Sequence, residues 1–333
     1  MPFVATVAEP LASIAHPARP RAKARAGHSV VIAAVLLTSP LSGVASAPAD
    51  DLVGYATNHA AAHASAYSSA YSSAYSTPIL FYQPQNRDEL LTRERWQTLW
   101  QQAADHGVDT LIVQWTRYGD DTFGGAEGWL ADALVEAERQ GLELILGLHQ
   151  DPAYYDTLPD NARFAHYWYQ LLARSAAQQQ AILQQWPLTP VGWYLPQELD
   201  DWLFRDPGVR DELVSQLASA STALAGPLHL SMFSGGFVTP QVYTAWAEAI
   251  SDSGWQVWWQ DDEGTRNLDP LVRSDYRHAL SCRVGIVREA FSRTSGATEP
   301  FHAIPTPPRR PARDCHPDAV FSLRYMPWAQ DLL

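Results

Sequence analysis

The chain has 333 residues, a formal net charge of −13 and only two cysteines. The acidic balance excludes the phosphate-backbone binders, which need a basic face, so no nucleic-acid partner is expected. Two cysteines are too few for a disulfide scaffold; Cys282 and Cys315 either pair or stay free, neither sits in a metal-like cluster, and no metal or cofactor is expected.

The first segment has the order of a secretory signal. Arg19, Arg21, Lys23 and Arg25 form a basic region, Val30–Leu37 an apolar run, and Ala45-Ser46-Ala47 a small-residue cleavage site. The apolar run is short and is followed by Pro40 and Gly43, which argues against a membrane span in the mature chain. Residues 1–47 are therefore expected to be a signal peptide, and the protein to be exported to a periplasmic or extracellular space. A retained amino-terminal anchor is the alternative. Residues 48–77 read as a disordered linker rich in Ala, Ser and Tyr, with Ser-Ala-Tyr-Ser repeated at 65–68, 69–72 and 73–76.

From residue 78 to 333 the pattern changes to apolar strands alternating with helices. Ile79–Gln83 is a strand. A helix carrying Trp96, Leu99, Trp100 and Ala103 follows and stops at Gly107. Thr110–Trp115 is the second strand, Gly128–Arg139 the next helix, and Leu142–Leu148 the third strand. A helix over 162–185 leads to the strand Val191–Pro196. Helices over 208–224 and 239–250 precede the strands Leu228–Phe233 and Trp255–Trp259. The apolar spacing of Leu271, Tyr276, Leu280, Val284, Val287 and Phe291 predicts one long helix over 269–293. Phe301–Ile304 is then strand seven and Ala319–Arg324 strand eight. Eight strands with helices between them predict an α/β fold, a (β/α)8 TIM barrel, rather than an open doubly wound sheet.

In a barrel the carboxyl ends of the strands share one face, and α/β enzymes place their chemistry there. The ends supply Gln83; Gln114, Trp115 and Arg117; His149 and Asp151 with Tyr154 and Tyr155; Glu198, Asp200 and Asp201; Gln260, Asp261, Asp262 and Glu263; and Arg324, Tyr325 and Trp328. Carboxylates beside Trp193, Tyr194 and Trp202 suggest a site for sugar, because indole and phenol faces stack on pyranose rings. Glu198 is the candidate general acid, with Asp262 or Glu263 as the ionised partner and Asp261 as a third possibility. Gln83, Gln114, Trp115, Arg117, His149, Trp193, Tyr194, Asp201, Gln260, Asp261, Arg324, Tyr325 and Trp328 are candidate substrate contacts.

The run Gly192-Trp193-Tyr194-Leu195-Pro196-Gln197-Glu198-Leu199-Asp200-Asp201, together with Gln260-Asp261-Asp262-Glu263-Gly264, resembles a bacterial domain-of-unknown-function family of glycoside-hydrolase-like TIM barrels. The resemblance covers most of 78–330 and implies a barrel with a carbohydrate ligand. In similar glycosidases the acid/base ends strand four, which maps to Glu198. Many retaining members carry a nucleophile at the end of strand seven, where Phe301–Pro305 offers no carboxylate. Two functions stand side by side: a hydrolase or lyase acting on an extracellular or cell-envelope polysaccharide, or a degenerate barrel that binds glycan without cleaving it. A metal-dependent deacetylase using His149 and Asp151 is a third, weaker reading.

Overall fold

Strands buried on both faces decide the architecture. In Ile79–Tyr82 the side chains of Leu80 and Tyr82 join one apolar cluster and Phe81 joins another. Such strands belong in a parallel sheet covered by helices. The computed structural model describes residues 79–157, 163–296, 299–309 and 314–333. The expected signal and linker lie outside them.

Eight parallel strands close into a barrel. They are β1 (Ile79–Tyr82), β2 (Thr110–Val113), β3 (Glu143–Gly147), β4 (Gly192–Asp200), β5 (Leu228–Phe233), β6 (Trp255–Gln260), β7 (Gly285–Glu289) and β8 (Asp318–Phe321). Pairing of Ile79 with Ala319 and Leu80 with Val320 closes the ring. Outside it lie α1 (Arg93–Asp105), α2 (Trp129–Arg139), α3 (Phe164–Gln185), α4 (Pro207–Ala223), α5 (Pro240–Asp252) and α6 (Pro270–Ala279). Helices α4, α5 and α6 begin alike. Asp206, Thr239 and Asp269 accept hydrogen bonds from first-turn amides, and a proline follows each cap. Proline suits that position because its missing N–H would have no helical partner there.

The interior layer is Phe81, Ile112, Ile145, Tyr194, Trp258, Val287 and Ala319, one residue from each of seven strands. The Tyr194 hydroxyl donates to Ser231 Oγ at 2.7 Å. The outward residues of the same strands pack with the helices in the larger cluster.

The expected long helix over 269–293 does not form. Helix α6 ends at Ala279, and 285–289 is strand β7. The helical spacing of Tyr276, Leu280, Val284 and Val287 continues by coincidence into a segment whose Ile286-Val287 pair favours extended backbone. Gly285 shows the packing reason: a Cβ there would stand 2.3 Å from the Trp258 ring. The segment expected as strand seven supplies only Ala303–Pro305, paired antiparallel with Phe291–Arg293 beside the barrel. At the end of strand eight, Leu323–Tyr325 is a 3-10 turn, so the strand stops earlier than expected. Cys282 and Cys315, whose state the sequence leaves open, form a disulfide joining the approaches to β7 and β8.

Candidate functional site

Alternation carried upward from the interior layer sets the mouth. Phe81, Ile112, Trp258 and Val287 face inward, so two residues later Gln83, Gln114, Gln260 and Glu289 also lie on the inner face. On β4 the register to β5 slips: Leu195 pairs with Leu230, but Leu199 pairs with Met232. Four steps on one strand oppose two on the other, so Pro196–Glu198 bow out of the ladder. Bulges of this kind re-aim side chains. Glu198 is thereby delivered to the amides of the neighbouring strand ends.

Those amides form a chain. Gln83 Nε2 donates to Gln114 Oε1 at 3.0 Å, and Gln114 Nε2 donates to Glu198 Oε1 at 3.4 Å. From the other side Gln260 Nε2 donates to the same Glu198 Oε1 at 3.0 Å. Both donors serve one oxygen, so a proton on this carboxyl belongs on Oε2. Burial pushes Glu198 up to about 7, the Asp200 charge adds to the rise, and the Gln260 bond opposes it. Burial and the Glu198 charge also raise Tyr155, which places that phenol in the electrostatic neighbourhood of the carboxyl.

The second carboxylate is not where the sequence points. Asp262 spends its carboxylate on its own loop: Oδ1 accepts from the Asn267 amide and side chain, and Oδ2 from the Leu268 amide at 2.7 Å. Glu263 turns to Arg273 at 2.8 Å, with Arg309 at 3.8 Å. Asp261, which adjoins Gln260, and Glu289, which ends β7, are buried as Asp262 is. Asp261 Oδ1 accepts from the Glu263 and Glu289 amides. Glu289 Oε2 accepts from the Gly264 and Thr265 amides, and Oε1 from the Thr265 hydroxyl. Burial raises both acids, and the neighbouring Asp261 charge raises Glu289 further. Sequence reasoning missed Glu289 because it assigned β7 to a helix. The signal was available in Gly285-Ile286-Val287, a glycine and two β-branched residues ending in charge.

Other expected site residues have structural places. Asp201 holds the loop after β5, accepting from the Gly235, Phe237 and Val238 amides. Asp200 Oδ1 accepts from the Trp202 and Leu203 amides, and burial raises its carboxyl to about 6. Trp193 is corrected from the mouth to the outer cluster under the helices, because its neighbour Tyr194 takes the inner face. Tyr194 itself lies in the interior layer below the mouth. Trp115 is buried in the outer cluster against Tyr118. Trp328 is likewise corrected: it stacks on His106 at the carboxyl end of α1, the opposite end of the barrel from the site. Arg324 pairs with Asp88, which also accepts from the Tyr82 hydroxyl at 2.9 Å, and so ties the loop after β1 to the end of β8. Tyr325 packs on Phe291. Trp202 is exposed on the rim. Arg117 and His149 pair in a short parallel ladder after β2 and β3 and line a separate cleft against α3. Among the described residues no group of three His, Cys, Asp or Glu is arranged to hold a metal ion.

Comparison with known proteins adds a family. The "Uncharacterized protein YbcH" of Escherichia coli K12 is 34% identical over 273 residues, covering 76% of this chain and 92% of YbcH. Among solved structures, the spore cortex-lytic enzyme SleL of Bacillus cereus aligns over 76% of this chain and 72% of its own, with 8% identity and a TM-score of 0.46. A Bacteroides thetaiotaomicron protein described as a candidate alpha-L-fucosidase aligns over 74% and 85%, with 15% identity and a TM-score of 0.42. The model of the domain of unknown function DUF4434 matches residues 80–308, most of the barrel, and the chain belongs to that family.

Proposed function

We propose that the protein is an exported glycosidase acting on an extracellular or cell-envelope polysaccharide, with Glu198 as its general acid. The observation that carries this reading is Glu198 itself. It is a buried carboxyl at the end of β4, held by amides on one oxygen and raised to about 7. An acid poised there is protonated in a useful fraction near neutral pH. Its Oε2 proton passes to the glycosidic oxygen as the bond from that oxygen to the anomeric carbon breaks. A water oxygen completes the product at the anomeric carbon, and the water's proton returns to a carboxylate. Asp261 and Glu289 supply that second carboxylate, either by activating the water or by attacking first and being released by it. This replaces Asp262 and Glu263 in the role, since Glu289 ends β7 on the inner face and Asp261 adjoins Gln260, whereas Asp262 and Glu263 lie farther along the loop after β6. The Cys282–Cys315 disulfide supports export, because such bonds persist in oxidising compartments.

One observation favours the second reading, a barrel that binds glycan without cleaving it. Both oxygens of Glu289 already accept hydrogen bonds from the loop at Gly264 and Thr265. The two readings separate in one experiment: incubation of the protein and its Glu198→Gln variant with a panel of bacterial polysaccharides, read by reducing-end release and by binding. Glutamine keeps the shape and cannot give the proton, so turnover should fall about 10²–10⁴-fold while binding remains. Binding by wild type without release of ends selects the non-hydrolytic barrel. Turnover retained in the variant removes Glu198 from the role. Mass spectrometry of the protein recovered from an exporting host tests the cleavage after Ala47.

A further inference from the structure

Outside the mouth, the loops after β2 and β3 and one face of α3 enclose a second cleft of about 560 Å³, a volume in the range of small-molecule sites. Its lining includes Arg117, Asp120, His149, Asp151, Arg174 and Gln178, and none of the residues that hold Glu198. The walls are built. Gly119 donates its amide to the Gln150 carbonyl at 2.8 Å, and Gln178 Nε2 donates to Thr116 Oγ1 at 3.1 Å. Arg117 Nε donates to the Gly119 carbonyl, which fixes the direction of its guanidinium.

Two cations converge here on a chain that is otherwise strongly acidic. The charges of both Arg117 and Arg174 bear on the His149 ring and, after burial, are what disfavour its protonation. His149 is only 4% exposed, and its ring packs into the wall of the cleft beneath the two guanidinium groups. The acids in the lining differ in availability. Asp151 accepts from the Ala153 amide and the Tyr167 hydroxyl, whereas Asp120 is fully exposed and only 3.7 Å from Arg117. A cleft with cations and acceptors side by side suits a molecule that carries both an oxyanion and hydroxyl groups. A bare multivalent anion would face the two aspartates.

We propose that this cleft binds an acidic sugar, with Arg117 and Arg174 on its oxyanion and Gln178 and Asp120 toward its hydroxyls. The proposal rests on the glycan reading of the mouth and narrows it: the polymer recognised carries anionic residues, and the cleft holds one of them away from the reacting bond.

The test is calorimetric titration of the full chain with trimers of galacturonate, glucuronate, mannuronate and guluronate, their neutral methyl esters, and inorganic phosphate and sulfate. At least one acid trimer should bind ten-fold or more tightly than its ester. Arg117→Gln and Arg174→Gln should each erase most of that preference, with circular dichroism confirming that the variants fold. Glu198→Gln should keep it, which separates this site from the mouth. A loss of turnover in every assay, with the acid preference intact, would sink the catalytic reading and spare the cleft. The inference is overturned by equal binding of acids and esters, by no trimer binding at 10 mM, by a preference that survives Arg117→Gln/Arg174→Gln, or by phosphate or sulfate binding better than any trimer.

Discussion

The environment of Glu198 can be read without a substrate, through stability. Its carboxyl titrates near 7 instead of 4.5, chiefly because burial disfavours the charged form. That gap corresponds to about 3 kcal/mol of preference for the neutral acid. Between the two values the folded protein holds a proton that the unfolded chain has released. Stability from this group is therefore fully present below pH 4.5 and is lost as pH rises to 7. Glu198→Gln replaces the acid with a neutral side chain of the same shape and removes that slope. Urea unfolding followed by tryptophan fluorescence, at pH 5 and pH 8, should show the variant gaining about 2–3 kcal/mol on wild type across the interval. Asp261, Glu289 and the histidines titrate in both proteins and cancel to first order in the difference. Parallel pH profiles for the two proteins would refute the argument that Glu198 is buried and neutral at the mouth.

Three further outcomes follow from packing and clamps. Replacing both Cys282 and Cys315 with serine should cost about 3–4 kcal/mol, from the entropy regained by a loop spanning 33 residues; thermal unfolding with and without reductant would measure it. Gly285→Ala should destabilise by about 1–3 kcal/mol or more, because its methyl would stand 2.3 Å from the Trp258 ring; an unchanged melting temperature would deny the contact. Asp201→Ala should cost about 1–3 kcal/mol and speed amide exchange at Gly235, Phe237 and Val238, which lose their shared acceptor; exchange mass spectrometry reads this directly.

Most of the barrel was legible because its signals are local. Apolar runs after Gly107, Gly141 and Gly254 mark β2, β3 and β6, and each of these glycines has the positive φ that the turn out of a helix requires. Strand β7 was hidden for the opposite reason. Five residues flanked by apolar positions at helical spacing look like more helix, and what distinguishes them is a distant fact, the Trp258 ring that only Gly285 admits. Glu198 could be found because a polar turn in an apolar strand is visible in one dimension. The choice between Asp262 and Glu289 could not be made there, since it depends on 285–289 being a strand whose last residue shares the inward face of Val287. Trp193 lies away from the mouth for a simple geometric reason: adjacent strand residues face opposite sides, so Trp193 and Tyr194 cannot both look inward.

The chain of side-chain amides around Glu198 has a consequence for the medium in which the protein works. Gln83, Gln114 and Gln260 are dipoles without net charge. Mobile ions screen distant charges strongly and act little on buried, hydrogen-bonded dipoles. A proton affinity set mainly by burial and by such neighbours should drift little between dilute and saline surroundings. The acidic exterior can change its ion cloud with the habitat while the acid at the centre keeps its tuning.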